Sequence, residues 1–388
     1  MEPTTMMADL PPFSKPRVVT NKVGNVHWHF KNGVPRDNIG DLHSTIVRIG
    51  DRKEYWMVGR LGGPGVGGVV FRKPYGDPYT DWEGVTIDVP QAKVIPAVPN
   101  SPSEENVDTY QIAQHPQTGA VVFVYGQKRD SIITGGCAIS RLAVESRRPI
   151  FPANAEQLRR DAGHIMLAAE GAELGPAGSA WFGLDEWSML VDEKNQLAEF
   201  YYEAETIENR DAFGQRWRSR IYRAQIPLGL FGYSTQMIPQ RNPTRPVFAP
   251  EMHPRYGVTN ATAVYGTANM TLRSNVSLCE RDNSRHMLFL NSRPAVRKGG
   301  IPANGLINRA TGLCHAYSHD NGFTWRWGNN NPLIDLDSLG WQDTGDAARL
   351  NSAWLLWDED VVYLFFVGNE HGRVNDFGTR IYCCEARY

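Results

Sequence analysis

A short unit of alternating apolar and polar residues recurs along the chain. In its first copy, residues 45–49 alternate as a half-buried strand does, Gly50 and Asp51 supply a turn, and residues 55–58 form a second strand. A third apolar run, residues 68–73, follows. Because short strands joined by tight turns pair most simply with their neighbours, each copy predicts one antiparallel sheet.

Copies of this unit begin near residues 41, 108, 183, 260 and 350. Repeated small sheets bury their faces against one another, which is the arrangement of a propeller. The sequence therefore predicts an all-β fold, a β-propeller of antiparallel four-stranded blades. It has five blades, or six if residues 228–260 or 326–348 contain a degenerate one. Residues 17–30 have the composition of a strand pair that would close the ring beside the C-terminal strands.

The domain organisation follows from the same pattern. Residues 1–16 are polar and rich in proline and predict a flexible N-terminal arm, and residues 17–388 predict a single propeller domain. Residues 153–173 carry Ala, Leu, Glu and Arg at helical spacing, which predicts a helical insertion between blades. Residues 226–259 are rich in proline with little periodicity, and predict a long ordered loop over one face.

Charge and composition narrow the range of partners. The formal net charge is −2, so no broad basic field is expected, and nucleic acid and membrane are not predicted as partners. No apolar run approaches the ~18 residues that indicate a membrane span. The five cysteines have no Cys-x-x-Cys spacing, and no Walker or Rossmann motif occurs, so neither a metal nor a cofactor is predicted. We expect a cytoplasmic protein, or a secreted one if a signal peptide was removed; the oligomeric state stays open.

One motif is specific. Residues 318–325 read Ser-His-Asp-Asn-Gly-Phe-Thr-Trp. This segment resembles the Asp-box, or BNR repeat, of sialidase-like propellers. We expect Asp320 to accept hydrogen bonds from turn amides, Gly322 to adopt a backbone conformation that few residues tolerate, and Trp325 to pack between strands. That role is structural and lies away from an active face, so the motif predicts a fold and no substrate.

The last third of the chain is similar to the closing blades of sialidases, through Asn291-Ser-Arg293, the Asp-box, and Asn351-Ser352. By this resemblance Arg293 would bind a carboxylate. The sialidase Arg-Ile-Pro motif is missing, and Asn351-Ser352-Ala353 stands where a sialidase has its nucleophilic tyrosine. A true sialidase is therefore not predicted.

The first third partly resembles the propeller polysaccharide lyases of the ulvan-lyase type. His43 falls at a histidine of their first blade, and Thr109-Tyr110 falls at their Thr-Tyr pair. Arg60 replaces a second histidine, and Gly126 stands at an arginine position, with Lys128 and Arg129 just beyond it. The resemblance implies elimination chemistry on a uronate. The replacements at Arg60 and Gly126 remove part of the catalytic set of these lyases.

A second argument does not depend on any family. The first residues of the innermost strand of each blade line the channel of a propeller, and polar or ionisable residues recur there. The pairs at these positions are Asp41/His43, Asp108/Tyr110, Asp185/Glu186, Thr262/Tyr265 and Arg349/Asn351.

Two reactions suit this set. A lyase needs a base, for which Tyr110 or His43 is the candidate, and a cation, which Arg60, Lys128 or Arg129 would supply. A glycosidase needs two carboxylates across the scissile bond. The candidates for that role are Asp41, Asp108 and Glu186, with Arg293 and Asn351 as further substrate-binding residues.

The sequence thus predicts a carbohydrate-active propeller enzyme, either a polysaccharide lyase or a glycoside hydrolase, acting on a small-molecule or polysaccharide substrate in an axial pocket. Two alternatives remain open at this point. One is a pericyclase-like cyclase or isomerase of a small natural product, and the other is a sugar-binding propeller without turnover.

Overall fold

The computed structural model of the chain describes the following residues, with gaps between them. The described residues are 9–20, 30–31, 34–35, 39–61, 68–84, 106–119, 121–129, 132–140, 159–166, 180–211, 214–231, 240–242, 244–249, 252, 269–271, 276–292, 312–341, 349–369 and 379–388.

Five antiparallel sheets follow one another along the described residues. Strand β1 (Arg17–Val18) and a ribbon of β2 (Phe30–Lys31) and β3 (Val34–Pro35) come before them. The first sheet contains β4 (Ile39–Ile49), β5 (Arg52–Leu61), β6 (Gly68–Pro74) and β7 (Glu83–Gly84). The second contains β8 (Asn106–Gln114), β9 (Val121–Arg129), β10 (Ile132–Ser140) and β11 (Arg159–Met166).

The third sheet contains β12 (Ala180–Asp192), β13 (Leu197–Asp211), β14 (Gly214–Pro227) and β15 (Gln240–Arg241). The fourth contains β16 (Asn269–Thr271), β17 (Val276–Cys279), β18 (Ser284–Ser292), β19 (Gly312–Ser318), β20 (Arg326–Trp327) and β21 (Ile334–Asp335). The fifth contains β22 (Arg349–Asp358), β23 (Val361–Asn369) and β24 (Thr379–Arg387), with β1 on its outer edge.

The first strands of the sheets form a closed ring. Strand β4 contacts β8, β8 contacts β12, β12 contacts β17, β17 contacts β22, and β22 returns to β4. Sheets that radiate from a ring of first strands constitute a β-propeller, as the repeats predict. Pairing of Arg17 with Cys383 in β24 confirms that the start of the predicted 17–30 segment closes the ring beside the C-terminal strands.

The hydrophobic core lies between neighbouring sheets rather than in one centre. Between the fifth and first sheets, Trp354 stacks on Phe365 with ring centroids 5.1 Å apart, and Trp82 packs edge-on to Phe365. All three side chains are fully buried. Trp354 and Phe365 are partners within the fifth sheet, and Trp82 reaches them from the first sheet. Because burying a large apolar side chain contributes about 2 kcal/mol, such packing holds neighbouring sheets together.

An N-terminal strap, residues 9–20, crosses three sheets on the outside of the ring. Asp9 Oδ1 lies 3.2 Å from His315 Nδ1 of the fourth sheet. The Ser14 amide donates to the Glu385 carbonyl oxygen of the fifth sheet at 2.8 Å. The Thr20 amide donates to the Tyr79 carbonyl oxygen, which follows β6 of the first sheet, also at 2.8 Å. The strap therefore joins the fourth, fifth and first sheets.

Three sequence predictions require correction. Residues 9–16 of the predicted flexible arm belong to the strap and are held against the fourth and fifth sheets through Asp9 and Ser14. Residues 159–166, within the predicted helical insertion, form strand β11, which pairs with β10 through Ala138 and Arg160. The free edge of β10 offers backbone partners there, and such tertiary pairing overrides helix propensity. The predicted loop at 226–259 contains a 3-10 turn at Leu228–Leu230 and strand β15, which completes the third sheet. Within the described residues, no helix has the length and apolar character needed to cross a membrane.

Candidate active site at the ring of first strands

Extra residues interrupt the first strands, near the N-terminal end in β4, β8 and β22 and at the middle of β12. In the first sheet, Asp41 and Leu42 together face the single residue Gly59. In the second sheet, Thr109 is inserted between Asp108 and Tyr110, whose partners in β9 are adjacent in sequence. A β-bulge of this kind bends the strand and re-aims side chains, and bulges are over-represented next to active sites.

The third and fifth sheets repeat this irregularity. Glu186 and Trp187 together face Tyr202, and Asn351 is the extra residue between Leu350 and Ser352. In the fourth sheet, four residues separate the end of β16, Thr271, from the start of β17, Val276. Their partners in β18, Leu290 and Met287, are separated by only two residues. The backbone is therefore irregular at the same end of all five first strands.

The bulges coincide with the residues that the sequence predicts for catalysis. The structure places the backbones of Asp41, Asp108, Tyr110 and Glu186 at or beside the bulges of β4, β8 and β12, which are consecutive members of the ring. Asn351 occupies the bulge of β22 and is buried. The residues that the sequence predicts for catalysis therefore lie toward one end of the ring of first strands.

The predicted cations lie on second strands. Arg60 in β5 pairs with Gly40, the residue just before the Asp41 bulge. Lys128 in β9 pairs with Asn106, ahead of Asp108, and Arg129 pairs with Ile132. Arg293, together with Thr262 and Tyr265, lies outside the described residues.

His43, predicted as a base, is a buried side chain that bridges two sheets. Its Nδ1 atom accepts a hydrogen bond from the Ile112 backbone amide at 3.2 Å. Burial lowers the pKa of His43 to about 3, so the ring is neutral at physiological pH. Since Nδ1 acts as an acceptor, the proton of the neutral ring resides on Nε2.

Buried polar side chains follow the bulges on all five first strands. They are Ser44, Gln111, Ser188, Ser277 and Ser352. Ser188 Oγ accepts from the Val276 amide at 2.7 Å, and Ser277 Oγ accepts from Trp357 Nε1 at 2.9 Å, so these side chains tie neighbouring sheets together.

Two polar atoms of this layer could accept further hydrogen bonds. Among the described residues, Gln111 Oε1 and Ser352 Oγ are buried and have no hydrogen-bond partner. Because nearly all buried polar atoms are paired in folded proteins, such atoms favour a functional layer over an inert core. The described part of the chain contains no group of three His, Cys, Asp or Glu residues arranged to hold a metal ion.

The Asp320 turn lies at the other end of the strands. Asp320 Oδ1 accepts from the Thr324 amide at 2.8 Å, Gly322 has φ +79°, and Trp325 packs edge-on to Tyr201 with centroids 5.8 Å apart. These three features agree with the predicted local geometry. Ser318, at the start of the turn, pairs with Arg285 beside the β17–β18 hairpin, so the turn is distant from the bulges.

Comparison with known proteins yields structural likeness alone. No protein-family model matches the sequence, and no curated protein matches it. A solved structure described as a glycoside hydrolase aligns with a TM-score of 0.52 at 14% identity, covering 91% of this chain and 89% of that one. An endo-arabinase from Bacteroides thetaiotaomicron aligns with a TM-score of 0.52 at 10% identity, covering 96% and 98%.

An α-L-arabinanase from Cellvibrio cellulosa, solved with arabinohexaose, aligns with a TM-score of 0.50 at 10% identity, covering 90% of this chain and 91% of that one. At these identities the likeness defines a class by fold: an all-β propeller of antiparallel sheets. These structures do not support the predicted resemblance to sialidases or to polysaccharide lyases.

Proposed function

We propose that this protein is a five-bladed propeller glycoside hydrolase whose active site is formed by Asp41, Asp108 and Glu186. The observation that carries the proposal is the set of bulges at one end of the first strands. Each of these three acidic residues lies in a bulge or directly beside one, on three consecutive strands of the ring. Similarity in fold to a glycoside hydrolase and to two arabinanases supports the same reaction class.

The chemistry would use two carboxyl groups in different protonation states. One carboxylic acid gives its proton to the glycosidic oxygen as the bond from that oxygen to the anomeric carbon breaks. A carboxylate either takes a proton from the water that attacks the anomeric carbon, or attacks that carbon itself and forms a glycosyl ester that water then hydrolyses. Neighbouring negative charges raise the pKa of one member of such a group, so three acidic residues from adjacent strands suit this division of roles.

The geometry of His43 argues against its use as the base of a lyase. A lyase base must accept a proton from carbon next to a carboxylate. The Nδ1 atom of His43 is engaged by the Ile112 amide, and a pKa of about 3 makes the ring a weak base. In the glycosidase that we propose, His43 holds β8 beside β4, while Arg60, Lys128 and Asn351 contact the sugar hydroxyls.

The test is a hydrolysis screen on arabinan, xylan and the corresponding aryl glycosides, read as reducing ends and released phenol. We expect turnover, and a loss of about 10²- to 10⁴-fold in kcat for Asp41→Asn, Asp108→Asn and Glu186→Gln. Glu193→Gln is a matched control, because Glu193 is exposed in the turn at the opposite end of β12. Its kcat should equal that of the wild type.

Elimination is measured in the same samples by the absorbance of unsaturated products on uronate polysaccharides. Absence of hydrolysis across the screen would contradict the proposal. So would full activity in all three carboxylate variants.

A further inference from the structure

Phe323, in the turn that follows Asp320, is 67% exposed and is the most exposed large hydrophobic residue in the described part of the chain. The guanidinium carbon of Arg223 lies 4.9 Å from the centroid of its ring. One face of the ring is thus covered by a cation, while most of the remaining surface is open to solvent. We propose that Phe323 is the platform of a second carbohydrate-binding site, which takes a neutral oligosaccharide.

The Arg223 guanidinium beneath the Phe323 ring is held in place by Glu199. Arg223 Nη2 lies 3.0 Å from Glu199 Oε1, and its Nε donates to Glu199 Oε2 at 3.2 Å. Glu199 is fully buried and also accepts from the Tyr201 hydroxyl at 2.7 Å. The guanidinium offers the Phe323 ring a contact at a defined position, which lowers the conformational entropy that is lost when a sugar stacks on the open face.

An oriented amide lies two residues from the ring. Asn321 Oδ1 accepts from Arg285 Nη1 at 2.9 Å, and more weakly from Asn283 Nδ2 at 3.3 Å and Asn195 Nδ2 at 3.4 Å. Because its oxygen receives these donors, the NH2 group of Asn321 is directed away from them. Aromatic faces combined with amide donors match the two sides of a sugar ring, the C–H face and the hydroxyl edge.

The charges beneath the site are balanced, which selects a neutral ligand. Arg285 contacts both Asp192 and Glu199, and Arg223 contacts Glu199, so two cations face two anions. The side chains of Arg285, Asp192 and Glu199 are fully buried, and that of Arg223 is 8% exposed. Since Arg223 and Arg285 are both paired with buried carboxylates, neither guanidinium is free to neutralise a uronate carboxylate.

This site is distinct from the one at the bulges. The hairpin of Asp192 and Asn195 follows β12, whereas the Glu186–Trp187 bulge lies at the middle of that strand, and residues 188–191 separate the two. The platform therefore does not depend on the proposed hydrolysis. A chain with both sites would hold a polysaccharide at one end of the ring while cleaving it at the other.

Affinity electrophoresis through gels containing soluble arabinan, xylan or β-glucan tests the proposal. The variants are made in an Asp41→Asn background, so that the polysaccharide stays intact. We expect retardation by at least one of these neutral polymers, and Phe323→Ala to weaken it about tenfold. Met252→Ala is the matched control, because Met252 is a 40% exposed hydrophobic residue outside this turn, and its retardation should match that of the parent.

A second measurement separates this site from the active site. Phe323→Ala in the otherwise native chain should leave kcat and KM on a small aryl glycoside unchanged, while KM on the retarding polymer rises. Undiminished retardation of Phe323→Ala would overturn the proposal, as would no retardation of the parent by any polymer. Self-association that Phe323→Ala abolishes, without retardation, would assign the surface to a second copy of the chain and also overturn it.

Discussion

The Nδ1 atom of His43 and the backbone amide of Ile112 form a hydrogen bond of 3.2 Å between the first strands of two neighbouring sheets. First strands are the inner edges of their sheets, and their free amide groups need partners. Here a buried imidazole supplies that partner just beyond the bulges at Asp41 and Thr109. His43 thereby fixes the spacing between two strands that carry proposed catalytic carboxylates.

Replacement of His43 tests this role. His43→Ala leaves the Ile112 amide unpaired in a buried site and should lower the free energy of unfolding by about 1 to 3 kcal/mol. His43→Asn, whose Oδ1 takes the place of Nδ1, should recover most of that loss. Urea denaturation measures both. Equal destabilisation by the two variants would contradict the hydrogen-bonding role.

The pH dependence of stability should also involve His43. Its folded-state pKa of about 3 is below the ordinary value of 6.5, so the unfolded chain binds a proton that the folded chain does not. The stabilising contribution is full above pH 6.5 and is lost as the pH falls from 6.5 towards 3. Denaturation of His43→Asn should depend less on pH across that window than the wild type does. Parallel curves would argue against a neutral buried ring.

Arg285 should be one of the most sensitive positions in the described core. Arg285→Met leaves Asp192 and Glu199 as buried carboxylates without their shared cation, and should cost about 3 to 5 kcal/mol. Lys53→Met removes an exposed ion pair with Glu359 and should cost less than about 1 kcal/mol. Thermal unfolding of the two variants measures the contrast, and similar shifts in Tm would contradict the assigned burial.

Gly322 should not tolerate a side chain. Its φ is +79°, and a Cβ atom there would lie 2.1 Å from the Tyr201 hydroxyl oxygen. Gly322→Ala should therefore destabilise the fold by more than the roughly 1 kcal/mol of backbone strain. Gly50→Ala provides the control, because φ is +59° and nothing lies within 4 Å of the added Cβ. If chemical denaturation gives the same loss for both, the close approach to Tyr201 is not important.

The N-terminal strap should release in acid. Burial raises the pKa of Asp9, but hydrogen bonds from His315 and from the Asn329 amide outweigh burial and lower it overall. Its contribution to stability is therefore present above the ordinary value of 3.8 and is lost as the pH falls through the lowered value. Asp9→Asn should lower Tm at neutral pH and show a smaller further loss below pH 4. Proteolysis within residues 9–20 should accelerate in the same variant.

The sequence predicted the repeating sheets because strand alternation and turn residues are local signals. Thr45 to Ile49 form such a strand, and the strands on either side of Glu359 are short apolar runs joined by a turn and buried along almost their whole length. It failed at Arg159–Met166, where an open sheet edge rather than local propensity decides the conformation. Strand β15 was not predicted, because its two residues, Gln240 and Arg241, are too few to show a periodicity.

The candidate site was predicted in part. Asp41, Asp108 and Glu186 were selected because acidic residues recur at the starts of the first strands, and the bulges coincide with them. The role of His43 could not be predicted, since it depends on the Ile112 amide of another sheet. Phe323 had no signal of its own, because only the folded chain brings Arg223 beneath its ring.

The pairing of β1 with β24 limits how early the fifth sheet can fold during synthesis. Arg17 and Cys383 lie far apart in the sequence, so this ladder cannot form until residue 383 has left the ribosome. Bringing together segments so far apart carries a large loop-closure entropy and slows folding. Until β24 is synthesised, a nascent chain would expose the unpaired edge strands on both sides of this seam, and unpaired edges are prone to aggregation.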